Sequence, residues 1–139
     1  MAACAAVLLT LYGAGSLWRT RDFLREGRGH YLDAVRLIAA QSGHETTVGS
    51  GHDFAHAMLV EFYAAYVPQT RLRYLWRKDW TRDQPEWAIV HQDRRNVVPE
   101  PTLTAATGTR YRFVQDFRSS EHVGWDWFIY RREAPGAGQ

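Results

Sequence analysis

Residues 1–18 carry no charged side chain and run directly into Arg19, Arg21, Asp22, Arg25, Glu26 and Arg28. That junction constrains the chain more than any other feature. A soluble enzyme rarely opens on so apolar a block, and the pattern fits the last stretch of a membrane helix that delivers the chain to a polar surface. Trp18, Arg19 and Arg21 then stand where interfacial anchors stand, with the indole at headgroup depth and the guanidinium groups reaching lipid phosphate. A cleavable signal peptide would need a positive segment ahead of the apolar run, and Met1-Ala2-Ala3 supplies none. A buried core helix is the other alternative, because about 17 residues is the lower limit for a span and Ala and Gly dilute the hydrophobicity. A start at Met1 would make a short anchor; a piece of a longer membrane protein explains the block better.

The remaining residues, about 120, suffice for one core. Of the 139 residues, 45% are hydrophobic and 14% aromatic, as in a folded protein. The net charge is only +2, and Lys78 is the sole lysine, so the positive side is nearly all arginine. These arginines are interleaved with Asp and Glu, whereas a nucleic-acid footprint would gather them on one face. No nucleic-acid partner is expected. The lone Cys4 excludes an intrachain disulfide or a cysteine-based zinc site. It reads as a small hydrophobe.

Helix-compatible residues continue from Ser16 to Glu26, and Gly27-Arg28-Gly29 interrupts them. His30 to Gln41 spaces Tyr31, Leu32, Val35, Leu37, Ile38 and Ala39 near a 3.6-residue period, which predicts an amphipathic helix. Glu45 to Val48 reads as a buried strand ending in the Gly49-Ser50-Gly51 turn. Asp53 is a suitable N-cap for a helix from Phe54 to Tyr66, with Met58, Leu59, Phe62, Tyr63 and Tyr66 along one flank. Arg71 to Trp76 and Glu86 to His91 read as strands, and Gln92 to Gly108 as a loop holding one helical turn. Tyr111 to Phe117 and Trp125 to Tyr130 form an antiparallel pair across the link Arg118 to Gly124. The expected fold is α/β: a small Rossmann-like layered domain after an N-terminal apolar helix. Its sheet is mixed, with parallel first strands and an antiparallel C-terminal pair. The divisions are 1–26 for the membrane helix end and its interfacial extension, 27–133 for the α/β domain, and 134–139 for a disordered tail.

The segment most suggestive of binding is Ser50, Gly51, His52 and Asp53, between a strand and a helix. In an open α/β sheet, ligands meet free backbone N–H groups there. A dinucleotide fingerprint would need a third glycine where Phe54 stands, and a ribose-binding acid earlier than Asp79. His52 and His56 superficially share the spacing of a zinc hydrolase motif. However, Asp53 is shorter than the glutamate such chemistry uses, and a third ligand from His44 or Glu61 is not indicated. No catalytic residue, metal site or cofactor is expected. Glu61, among apolar neighbours, reads as a buried acid that Arg73 could pair. Trp87, Trp125 and Trp127 read as packing residues.

Three stretches carry a resemblance: Gly29-His30-Tyr31-Leu32-Asp33-Ala34-Val35-Arg36; Val48-Gly49-Ser50-Gly51-His52-Asp53-Phe54 with Leu59-Val60-Glu61-Phe62-Tyr63; and Gly124-Trp125-Asp126-Trp127-Phe128-Ile129-Tyr130-Arg131-Arg132. Together they resemble the region after the last membrane helix in bacterial proteins of the dolichyl-phosphate-mannose protein mannosyltransferase type. Those proteins belong to the GT-C class of polyprenyl-phosphate-sugar glycosyltransferases. The resemblance implies a non-catalytic, extracytoplasmic C-terminal domain at the bacterial inner membrane. Its partners would be the lipid bilayer and, through the parent protein, a lipid-linked sugar or glycan. The family's catalytic acid lies in an early loop with no counterpart here. The arginines after the apolar block instead follow the positive-inside tendency, which favours the cytoplasm. The alternative is a soluble α/β ligand- or nucleotide-binding domain using the Gly49 to Asp53 turn.

Overall fold

A computed structural model describes residues 2–26, 29–92, 97–119 and 125–134. Helix α1 spans Ala2–Glu26, α2 Tyr31–Ala40 and α3 Asp53–Ala64. The strands are β1 Glu45–Ser50, β2 Arg71–Tyr74, β3 Trp87–Gln92, β4 Thr102–Thr104, β5 Arg110–Phe117 and β6 Asp126–Arg132. A 3-10 turn covers Arg77–Asp79. The predicted break at Gly27-Arg28, the link from residue 120 to Gly124 and the tail beyond Ala134 lie outside the described residues.

The six strands form one mixed sheet in the order β2-β1-β3-β6-β5-β4. β1 pairs in parallel with both β2 and β3, while β3–β6, β6–β5 and β5–β4 are antiparallel. The expected α/β class, parallel start and antiparallel C-terminal pair are therefore present. The chain moves one way from β1 to β2 and back across β1 to β3. Two right-handed crossovers of opposite sense must use opposite faces of the sheet. Helix α3 takes one face, against β1 and β2, and the loop with the 3-10 turn takes the other.

Strand alternation builds two cores from these layers. Trp87, Ile89, Trp127 and Ile129 point to the helix side, where Val35, Ile38 and Val60 meet them. Ala88, Phe128, Tyr130 and Tyr111 point to the other side, under Val97, Leu103 and Phe113. Asp126 to Tyr130 are buried without a break, as a central strand covered on both faces requires. The edges are short: β2 has four residues and β4 three, and Arg71 and Arg73 on β2 are exposed. Strand β4 falls in the segment read from sequence as a loop. Its three residues, with Pro101 before them, are too few to show a period, and pairing with β5 creates it.

Two expectations for the helices are corrected. Helix α1 is continuous but not packed under the sheet: Leu8, Leu9, Leu11, Tyr12, Leu17 and Trp18 each expose more than half their surface. The buried-core alternative therefore fails. The transmembrane helix fails as well, since no helix among the described residues is long and apolar enough to cross a membrane. A charge-free run of about 17 residues rises only ~26 Å against a hydrocarbon core of ~30 Å, and its alanines and glycines weaken it further. Helix α3 buries His56, Ala57 and Val60; of the apolar flank, Leu59 and Tyr63 pack partly buried against the core, whereas Met58 and Phe62, with Tyr66 in the turn after the helix, face outward.

Candidate functional site

In this topology β1 is the switch point. The connection leaving β1 runs through α3 on one face and the connection leaving β2 takes the other, so the carboxyl ends of β1 and β3 lie where the winding reverses. Ser50 closes β1 at that point. Its buried hydroxyl accepts a hydrogen bond from the His52 backbone N–H at 2.9 Å and lies 2.5 Å from His56 Nδ1. His56, in the first turn of α3, is fully buried. His91 follows Ile89 on β3 with the same alternation, so its ring comes to the helix side, opposite Trp127 in register.

Three imidazoles consequently gather around one indole. Ring centroids lie 5.4 Å apart for His52 and His91, 5.2 Å for His56 and His91, and 6.0 Å for His52 and His56. The Trp125 ring is 5.7, 5.9 and 5.5 Å from His52, His56 and His91 respectively. Trp127 lies beneath His56 at 5.2 Å. The Tyr31 ring on α2 lies tilted against Trp127 with centroids 4.6 Å apart, and its hydroxyl accepts from the Trp125 backbone N–H at 2.8 Å. Burial, then the neighbouring His91 and His52, lower the His56 pKa to about 4, so its imidazole is neutral at pH 7. Its Nε2 and the Trp127 Nε1 are buried and find no hydrogen-bond partner among the described residues.

The sequence-derived candidates fare differently. Ser50 is consumed by His52 and His56, and Gly51 is exposed with open space where a side chain would stand. The His52 ring is exposed at the rim. Asp53 does not cap α3. The helix begins at Asp53 itself, and its carboxylate turns outward to accept from the Arg77 N–H, at 3.1 Å to each oxygen, and from the Tyr74 hydroxyl at 3.1 Å. It fastens the loop after β2, a task that local spacing does not reveal. Trp18, Arg19 and Arg21 are exposed on α1. Glu61 is exposed rather than buried, and Arg73 pairs with Asp83 instead.

Gly49 lies within β1 rather than in the turn after it. A Cβ at Gly49 would lie 2.5 Å from Trp80 Cζ2, so the indole, pinned by its Nε1 to the Leu75 carbonyl at 3.1 Å, occupies the space the glycine leaves. His52 precedes the helix in an extended conformation, and its ring still lies 6.0 Å from that of His56. His44 is exposed and elsewhere, and among the described residues no three His, Cys, Asp or Glu side chains could hold a metal ion. Sequence reasoning missed His91. The signal was the period of two in Trp87, Ile89 and His91, which puts the imidazole on the face of two core residues. No known protein family, curated protein or solved structure matches the chain.

Proposed function

We propose that this chain is a membrane-tethered, non-catalytic α/β domain of a GT-C-like polyprenyl-phosphate-sugar glycosyltransferase, on the extracytoplasmic side. The observation that carries the reading is α1, an apolar shaft exposed on every side that ends in Trp18, Arg19 and Arg21. A helix apolar all round is stable only when something apolar covers it. A second observation supports the kinship. The three stretches that carry the resemblance, far apart in sequence, meet through Tyr31, His52, Tyr63, Trp125 and Trp127. They thus form one packed unit. Flotation tests the tether: the chain should rise with phosphatidylcholine–phosphatidylglycerol vesicles, and a Leu8→Asp, Leu11→Asp, Leu17→Asp variant should stay at the bottom. Equal flotation of both, or of neither, overturns it. Vesicles doped with a polyprenyl-phosphate sugar should retain more chain if the domain meets the donor, and equal retention removes that element.

A second reading is favoured by the orphaned His56 Nε2 at the switch point: a small ligand held against His52, His91 and Trp125. Titration of sugar phosphates and nucleotides against the chain would then give a saturable change in tryptophan emission that is lost in His52→Ala. No saturable signal removes this reading.

A further inference from the structure

Helix α3 is apolar on the side that faces away from its own domain. Its buried side is centred on His56 and Val60. On the opposite side Phe54, Met58 and Phe62 follow at steps of four, with Tyr66 in the turn just after the helix, and the four expose 68%, 53%, 59% and 57% of their surface. Glu61 is the one exposed acid of α3 and stands at the edge of this stripe. Such a stripe is unexpected on a finished surface, because an amphipathic helix turns its polar side to water.

We infer that the outward face of α3 lies on an anionic lipid surface, with Phe54, Met58, Phe62 and Tyr66 in the interfacial layer. The inference rests on the tethered reading of α1, which keeps the domain within reach of a bilayer. Two observations select lipid over a second copy of the chain. The first is area: the four side chains leave roughly 450 Å² open, against about 800 Å² per partner in a stable protein interface. A bilayer sets no such minimum, since each inserted side chain gains hydrocarbon independently. The second is charge. Beside the Phe54 end of the stripe stand Trp76, Arg77 and Lys78, all exposed, held there by the hydrogen bonds from the Arg77 N–H to Asp53. Arg71, at the start of β2 and opposite Glu45 in register, is exposed as well. Arg71, Arg77 and Lys78 form no ion pair among the described residues. Aromatic rings with basic ends are the arrangement that binds anionic headgroups.

The test uses the full chain. In a Cys4→Ser background, Met58→Cys carries an environment-sensitive fluorophore, and phosphatidylcholine–phosphatidylglycerol vesicles carry a spin-labelled quenching lipid. The native Cys4, labelled in a separate sample, reports α1, and Thr104→Cys on β4 reports the far edge of the sheet. Quenching at position 58 but not at 104, lost in Phe54→Ser with Phe62→Ser while circular dichroism is unchanged, is the expected result. A label at 58 that stays in water while Cys4 is quenched overturns the α3 inference and leaves the tether standing. Quenching at neither position overturns both. A dimer in lipid-free sedimentation that already shields the label at 58 makes the stripe a self-interface and overturns the lipid assignment.

Discussion

His56 enters the core with Nδ1 satisfied by Ser50 and Nε2 without a partner, and that state holds only while the ring is neutral. Unfolded, the imidazole titrates near 6.5; folded, it titrates at about 4. The folded-state value is the lower one, so the unfolded chain takes up the proton first. The contribution is therefore complete above pH 6.5, is lost as the pH falls from there to about 4, and is flat below. A shift of this size corresponds to about 3 kcal/mol. Urea denaturation from pH 7 to pH 4 should show that loss in the native chain and a much shallower slope in His56→Gln, whatever the variant's absolute stability. Parallel slopes would mean that His56 is not the group responsible. The sequence marked His52 and His56 as neighbours, yet it could not show that one would stay at the rim while the other was buried. That division depends on where the helix begins, and on Ser50 accepting from the His52 N–H.

At the scale of elements, local pattern located α2, α3 and five of the six strands, because each carries its own period or its own turn residues. What local pattern did not give was orientation. α3 offers apolar residues on nearly every side, so a period of 3.6 names a helix without saying which flank goes inside. The small Ala57 and Val60 face β1 and β2 because close helix–sheet approach leaves little room there, and the bulkier Met58 and Phe62 are turned out. A paired measurement follows. Val60→Ala, a loss of two methyl groups, should cost about 1–2 kcal/mol in urea denaturation. Phe62→Ser, a far larger deletion, should change stability by about 0.5 kcal/mol or less. The reverse ranking would place the core on the other flank. β4 was illegible for a different reason, since three residues acquire strand geometry only from a partner.

For the molecule as a whole, the mixed sheet was legible because the order of elements leaves few right-handed arrangements. The clustering of His52, His56, His91 and Trp125 was not, because it needs the register that sets His91 against Trp127. That register belongs to the assembled sheet and to no single segment. The short rims noted above have a consequence for association between copies. An open strand edge is a template for another copy. Here a visiting strand would find only four residues of β2, two of them projecting arginine, or three residues of β4. Neither offers enough backbone for a visiting strand to zip up.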